Sequence, residues 1–207
     1  MAQLEIIGTP VSNYVRTIRM LCEEKGVVYA LNPSLPHTPE VKALHPAGQV
    51  PCMRHDGITL FESKAIAHYI DNRFPGPKFF PADVVKAAQV EQWVSYVNGK
   101  VDRCIMREFV VPSLYFDKTK GPDTERINAA LTEIERYIAP IDKAVATTGY
   151  LVGDTLTYAD LNVLPMLAAL TLFPATSDIL AKFGALSGYV AKHCARPSLA
   201  KTAPTKS

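Results

Sequence analysis

Residues 48–63 have the sequence GQVPCMRHDGITLFES, in which two β-rich runs precede a helical pattern. The β-rich runs 50–54 and 58–61 flank an Asp-Gly pair, which is a strong signal for a β-hairpin turn. Glu62-Ser63 then begins a helical pattern that Pro75 ends. The stretch therefore predicts a hairpin followed directly by a helix.

Short strand-like and helical patterns alternate in the residues before this hairpin. Residues 3–7 and 27–31 are strand-like, and between them the apolar positions of 15–22 recur at helical spacing. A Pro-rich loop at 33–46 follows, with one short helical turn. This order predicts a mixed βαβ-ββα domain over residues 1–77.

The pattern becomes helical throughout after a linker at 74–81. The expected helices span 84–115, 123–147 and 157–173, followed by one or two shorter helices and a polar tail at 201–207. Pro112 should kink or end the first of them. Residues 82–207 are thus predicted to form an all-helical domain, so the fold class is α/β plus all-α.

Composition and charge argue against a nucleic-acid-binding protein and against a membrane protein. The chain has 207 residues, 48% of them hydrophobic, which is enough for a substantial core. Its 22 basic and 20 acidic residues are spread without a basic stripe, which argues against nucleic acid as a partner. No stretch approaches the roughly 18 apolar residues of a membrane span, and the N-terminus does not resemble an export signal. We therefore expect a cytoplasmic protein.

The cysteines are Cys22, Cys52, Cys104 and Cys194, with neither a CxxC pair nor metal-ligand spacing. This pattern favours free thiols in a reducing compartment and no metal site. Cys52 is interpreted as a buried strand residue in preference to a reactive thiol.

Pro51 is the most informative single residue, because proline cannot donate a hydrogen bond within a β-ladder. Its place in a strand pattern indicates an edge, a bulge or a cis peptide bond that leaves room for an extended peptide. The alternative is that Pro51 merely begins an edge strand.

Two predicted helix starts carry side chains suited to binding an anion or a thiolate. Ser63 either caps its helix or helps to bind an anion there. The residues Ser12-Asn13-Tyr14 either cap their helix or donate a hydrogen bond to a thiolate, which would lower the thiol pKa from its usual value of about 8.5. A third start, Thr157 to Asp160, is a capping box with a structural role.

Three segments resemble the cytosolic glutathione transferase family in its serine-type, phi- or theta-like members. They are GTPVSNYVRTIRMLCEEKGV, PHTPEVKALHPAGQVPCMRHDGITLFESKAIAHYID and LVGDTLTYADL. The resemblance covers nearly the whole chain. It implies a thioredoxin-like N-terminal domain with a cis proline at Pro51, and an all-helical C-terminal domain.

The resemblance also implies a glutathione site. The Val50 backbone would pair with the cysteinyl part of glutathione, and Glu62 and Ser63 would hold its γ-glutamyl end. Gln49 would assist. His37 matches, with a spacing that differs by one residue, the position at which phi-like members carry a histidine near the glycine carboxylate.

Ser12 is the first choice for the hydroxyl that stabilises the thiolate. Its distance to Arg16 is one residue shorter than the usual phi-type spacing, which leaves Asn13 second and Tyr14 third. An electrophile would lie between the Ser12 loop and the first long helix. The wall candidates, which serve equally well as bundle core, are Met106, Arg107, Val110, Tyr115, Phe116 and Met166.

The predicted protein is thus a homodimeric glutathione transferase that conjugates glutathione to an apolar electrophile, in detoxification, without a metal. Two alternatives remain open. One is a glutathione-dependent peroxidase or thiol oxidoreductase, although Ser12 stands where such family branches carry cysteine. The other is a non-catalytic protein that binds glutathione or an apolar ligand.

Overall fold

The computed structural model of the chain describes residues 3–204, so part of the expected tail at 201–207 lies outside the described residues. The chain divides into two compact units. One runs to Pro81 and takes in the chain from Ala195 onward, and the other is Ala82–Cys194.

The first unit contains a four-stranded sheet in the order β2-β1-β3-β4. Its strands are β1 (Leu4–Ile7), β2 (Tyr29–Asn32), β3 (Cys52–His55) and β4 (Ile58–Phe61). β1 is parallel to β2 and antiparallel to β3, and β3 is antiparallel to β4. The alternative that Pro51 merely begins an edge strand is therefore wrong, because β3 has a neighbour on each side.

The predicted hairpin is confirmed. Asp56 and Gly57 join β3 to β4 with φ angles of 47° and 78°, as the two central residues of a type I′ turn require. The helices of this unit are α1 (Asn13–Lys25), α2 (Pro39–Leu44) and α3 (Ser63–Arg73). The order β1-α1-β2-α2-β3-β4-α3 is the predicted thioredoxin-like arrangement.

The second unit is helical, as predicted. Its long first helix begins as α4 (Val84–Tyr96), continues through two π-helical stretches (Val97–Val101 and Arg103–Val110) and ends as α5 (Val111–Leu114), soon after Pro112. The remaining helices are α6 (Thr124–Thr148), α7 (Tyr158–Leu170), α8 (Pro174–Ala181) and α9 (Gly184–Cys194). The apolar face of α6 and nearly all of α7 are buried in the core of this unit.

The predicted capping box at the start of α7 is confirmed. The Asp160 carboxylate is fully buried. It accepts hydrogen bonds of 2.9 Å from the backbone N–H and hydroxyl of Thr157, the backbone N–H of Leu151 and the hydroxyl of Tyr189. Asp160 therefore ties the start of α7 to the preceding loop and to α9.

The last helix, α10 (Pro197–Lys201), packs on α1 in the first unit. The Arg196 guanidinium donates two hydrogen bonds to the Glu24 carboxylate, at 2.8 and 2.6 Å. Nε of Arg16 donates to the carbonyl oxygen of Thr202 at 3.1 Å. The range 82–207 expected for the helical domain thus differs from the structure, because these bonds hold Arg196 and Thr202 on α1.

Candidate functional site

One end of the sheet gathers four segments of the first unit. Ile7, the last residue of β1, pairs with Asn32 at the end of β2 and with Cys52 at the start of β3. Cys52 in turn pairs with Phe61, the last residue of β4. The loops that follow β1, β2 and β4 therefore leave the sheet at the same end at which the chain enters β3.

These four segments carry the residues predicted for catalysis and glutathione binding. They are Ser12, Asn13 and Tyr14 after β1, His37 after β2, Gln49, Val50 and Pro51 before β3, and Glu62 and Ser63 after β4. Gly8 shows how closely two segments approach. A Cβ on Gly8, whose φ is 152°, would lie 2.9 Å from Cβ of Val50 and 2.5 Å from Cγ2 of Val15.

Ser12 occupies the N-cap position of α1. Its hydroxyl oxygen accepts a hydrogen bond from the backbone N–H of Val15 at 3.4 Å. A hydroxyl group that accepts one bond still has its own proton to donate. Ser12 and Tyr14 are half-buried, whereas Asn13 is buried inside the first turn. Capping and donation to a thiolate are therefore compatible roles for the same hydroxyl.

The Val50–Pro51 peptide bond is cis. Pro51 is buried, Val50 is partly buried and Gln49 is exposed. Val50 precedes the first ladder pair of β3, which is Cys52 with Phe61. The backbone at Val50 thus lies just beyond the end of the ladder, next to the residues that follow Phe61.

Glu62 and Ser63 lie at the start of α3. Glu62 is the N-cap residue, in a left-handed conformation with φ 67°, and its side chain is 65% exposed. Ser63 is the first helical residue and is buried. The expectation that Ser63 caps the helix is wrong, because the turn at Glu62 puts the serine one position further on. First-turn N–H groups of a helix lack intrahelical partners and attract anions.

His37 is exposed and contacts the turn before β3. Its backbone N–H donates to the carbonyl oxygen of Gly48 at 2.7 Å. A Cβ on Gly48 would lie 2.9 Å from Nδ1 of His37, so a glycine is needed for this approach. His37 therefore lies beside the segment that carries Gln49.

His45 is a residue of this site that sequence reasoning missed. Its ring is 5% exposed, and Nε2 lies 3.4 Å from Oε1 of Glu62. The only signal was its position directly before Pro46 in a loop, and no periodicity distinguishes a buried loop histidine from an exposed one.

Cys52 is a buried residue of β3, and burial raises the pKa of its thiol to about 11. Sγ donates a hydrogen bond to the carbonyl oxygen of Gln49 at 3.6 Å. All four cysteines are free thiols, as expected. These observations favour the interpretation of Cys52 as a packing residue, since a reactive cysteine needs an accessible thiolate.

The six wall candidates for an electrophile lie in the second unit. Met166 and Val110 are in its core, with 0% and 6% exposure. Tyr115 and Phe116 are exposed to 64% and 42%, and Met106 is partly buried. Periodicity alone could not separate the core members from the exposed ones.

Arg107, the sixth candidate, lies in the second π-helical stretch and pairs with a carboxylate. Its Nε lies 3.2 Å from Oδ2 of Asp102, five residues earlier. Five-residue spacing matches the i to i+5 bonding of a π-helix, which brings the two side chains onto one face.

Within residues 3–204, no helix combines the length and apolarity needed to cross a membrane. The described part of the chain also contains no group of three or more His, Cys, Asp and Glu side chains that could hold a metal ion.

Comparison with known proteins gives one family for both units. The glutathione S-transferase N-terminal domain family matches residues 6–78, and the glutathione S-transferase C-terminal domain family matches residues 106–201. Glutathione S-transferase 3 of Zea mays is 26% identical over 213 residues, which cover 98% of this chain and 94% of the maize protein.

Two further similarities are to a solved structure of the same fold and to a protein with another name. The theta class glutathione S-transferase of Xanthomonas axonopodis pv. citri, solved with glutathione bound, has a TM-score of 0.87 at 24% identity and covers 100% of this chain and 99% of its own. Elongation factor 1-gamma of Sus scrofa is 34% identical over 128 residues, which cover 61% of this chain but only 28% of that protein.

Proposed function

Because the chain belongs to the glutathione S-transferase family, we propose that it is a glutathione transferase that activates the glutathione thiol and transfers it to an apolar electrophile. The observation that carries the proposal is the convergence of Ser12, the Val50–Pro51 cis peptide and Glu62-Ser63 at one end of the sheet. Each of these groups suits one part of the glutathione molecule.

The γ-glutamyl end of glutathione carries an ammonium and a carboxylate group. The exposed Glu62 carboxylate would pair with the ammonium, and the Ser63 hydroxyl and the first-turn N–H groups of α3 would donate hydrogen bonds to the carboxylate. The two opposite charges of the ligand are thus matched by two adjacent residues.

The rest of glutathione would lie along the chain that enters β3. The Val50 backbone would pair with the cysteinyl residue as an added strand does. Gln49 and His37, which lie on adjoining turns, would contact the glycine end.

Ser12 would stabilise the thiolate by donating its hydroxyl proton in a hydrogen bond to sulfur. The N-terminal end of α1 adds the favourable field of the helix dipole. Lowering a thiol pKa by about two units requires about 2.7 kcal/mol, which is within reach of a charge-assisted hydrogen bond together with that dipole.

In the reaction, the thiolate sulfur attacks the electrophilic carbon, a C–S bond forms, and the leaving group departs with its electron pair. The thiol proton goes to solvent before the attack. The exposed Tyr115 and Phe116, with Met106 and Arg107, are the proposed contacts of the apolar electrophile.

We further infer a cytoplasmic homodimer that acts in detoxification. The support for these three points is family membership. Light scattering of the purified protein tests the dimer, and a mass close to that of one 22.7 kDa chain would contradict it.

The second candidate function is ligand binding without turnover. It is favoured by one observation. A relative at 34% identity is named as an elongation factor and not as a transferase. Thiol-disulfide chemistry is less well supported, because Ser12 occupies the cysteine position of such branches and Cys52 is buried.

The experiment is a pH titration of thiolate absorbance in the complex of the protein with glutathione, followed by addition of a chloronitrobenzene acceptor. The proposal expects a thiol pKa about two units below that of free glutathione, together with turnover. Binding without either would favour the second candidate. Absence of binding would contradict the assigned site.

A further inference from the structure

His45 lies between the two segments that would hold glutathione. Its backbone N–H closes the C-terminal end of α2 on Val41, at 2.8 Å. Its ring is buried against Phe61, with the ring centroids 4.9 Å apart. Since Phe61 directly precedes Glu62, the imidazole lies at the base of the N-cap of α3.

The hydrogen bond at Nδ1 defines the tautomer of the ring. Nδ1 accepts a bond from the backbone N–H of Ala47 at 3.0 Å, so Nδ1 of the neutral ring carries no proton. The proton is therefore on Nε2, which lies 3.4 Å from Oε1 of Glu62. One ring nitrogen holds the turn at 45–48, and the other faces the carboxylate.

Glu62 needs such a contact because little else restrains its side chain. The backbone has the left-handed φ of 67°, and the side chain is 65% exposed. A carboxylate in that position samples several rotamers in solvent, and a ligand that binds to one of them must first order the side chain. A partner that already orders it removes that cost.

We propose that His45 is a positioning residue, which orients the Glu62 carboxylate toward the ammonium of the γ-glutamyl group. This inference rests on the proposed function and names a residue of the same site. The carbonyl oxygen of His45 accepts from the N–H of Gly48 at 2.8 Å, just before Gln49. One histidine thus couples the turn that leads to the cis peptide with the start of α3.

Two substitutions separate the hydrogen bond at Nδ1 from the 3.4 Å contact of Nε2 with Glu62. Asparagine places its side-chain oxygen near the position of Nδ1 but ends short of Nε2, so His45→Asn keeps the Ala47 bond and loses the Glu62 contact. Glutamine reaches the position of Nε2 without an acceptor at Nδ1, so His45→Gln keeps the Glu62 contact and loses the turn bond.

The test measures the glutathione Kd of these variants by calorimetry, in the wild-type background and in a Glu62→Ala background. We expect His45→Asn to weaken binding about three- to tenfold, and His45→Gln to bind like the wild type. In the Glu62→Ala background, His45→Asn should cause no further loss. Thermal unfolding of each variant shows whether it is folded at the titration temperature.

Three results would overturn the inference. They are an unchanged Kd for His45→Asn, an equal loss in both backgrounds, and a larger loss for His45→Gln than for His45→Asn, which would assign the effect to the turn. A wild-type protein that does not bind glutathione would overturn the proposed function itself, and that outcome is distinct from these three.

Discussion

Nζ of Lys25 lies 3.1 Å from Oδ1 of Asp71, and the two side chains are only 0% and 1% exposed. Nζ also donates to the carbonyl oxygen of Pro77 at 2.6 Å, and the backbone N–H of Phe79 donates to the same Asp71 oxygen at 3.1 Å. The pair therefore joins α1, α3 and the segment after α3.

We expect Lys25→Met to lower the free energy of unfolding by about 3 kcal/mol, because it leaves the Asp71 carboxylate buried without its counterion. Urea unfolding measures the change. Lys201→Ala is the matched control, since its 3.0 Å pair with Glu23 is on the surface, with the lysine 66% exposed. The control should lose less than about 1 kcal/mol, and an equal loss in both variants would refute the argument.

The Ser12 hydroxyl is expected to act on the sulfur of bound glutathione. In Ser12→Ala, the thiol pKa of bound glutathione should rise by about one to two units while the Kd changes little. Ultraviolet titration of the thiolate measures the pKa.

Ser12→Ala also removes an N-cap, which costs about 1 kcal/mol of stability. Asp83→Ala is the control for that loss, because Asp83 caps α4 through a 2.9 Å bond in the other unit. The control should leave the thiol pKa unchanged. If Ser12→Ala leaves it unchanged as well, the role passes to Asn13 or Tyr14.

Cys52 should resist thiol reagents. With a pKa raised to about 11 from 9.0, its thiolate fraction at pH 8 is about a hundredfold below that of the unfolded chain. We expect native Cys52 to react with iodoacetamide at least about a hundredfold more slowly than Cys52 of the unfolded chain. The partly exposed Cys194 serves as the internal reference. Peptide mass spectrometry follows both, and a glutathione mixed disulfide on native Cys52 would support the oxidoreductase alternative.

The same raised pKa has a consequence for stability. The folded state holds the Cys52 proton more tightly than the unfolded state, so the neutral thiol contributes stability below pH 9 that is lost as pH rises toward about 11. The stability advantage of the wild type over Cys52→Ala should shrink across that range. A difference independent of pH would contradict the assignment.

Asp160 should be sensitive even to an amide substitution. Four donors surround its carboxylate, so the amide group of Asp160→Asn would point toward at least one N–H or O–H. We expect a loss of about 2 kcal/mol in chemical denaturation. Asp142→Asn is the control, because Asp142 accepts a 2.8 Å bond from the backbone N–H of Leu186 in a half-buried position. A loss no larger than that of the control would show that the hydroxyl partners simply reorient.

The absence of a side chain at Gly8 is expected to be needed for glutathione binding. In Gly8→Ala the new methyl group would meet Val50 and Val15 at 2.9 and 2.5 Å, so the backbone that would pair with glutathione must shift. We expect about tenfold weaker glutathione binding, equivalent to about 1.4 kcal/mol. Gly57→Ala, at φ 78° with open space around it, controls for backbone strain alone and should leave the Kd unchanged.

Local signals account for the parts of the fold that could be predicted. The Asp56-Gly57 pair defines the hairpin because few other dipeptides adopt the two positive φ angles of its turn. α1 begins at a capping serine, ends at Gly26 in the left-handed conformation and has an apolar face between them, so its bounds follow from nearby residues.

Features that depend on distant residues or on subtle helical geometry could not be predicted. The π-helical stretches at 97–110 have the same kinds of apolar residues as an α-helix, and only the hydrogen-bond spacing differs. The docking of α10 depends on a contact between Arg196 and Glu24, which are 172 residues apart. Neither leaves a periodic trace in the sequence.

Which residues belong to the candidate site could be predicted better than what each of them does in the structure. Resemblance supplied the positions of Ser12, Pro51 and Glu62, but the left-handed turn that makes Glu62 the N-cap residue depends on the chain path from β4 to α3. Burial separates Met166 from Tyr115, and burial is a property of the folded unit that spacing along one helix does not contain.

The return of the last helix to α1 has a consequence for the order of events during translation. The residues up to Pro81 emerge from the ribosome first, yet the bonds that join Glu24 to Arg196 and Arg16 to Thr202 form only after the whole of Ala82–Cys194 has been made. Helix α1 therefore gains its contacts with the last helix only after the helical unit has been synthesised, so this helix is completed among the last parts of the molecule.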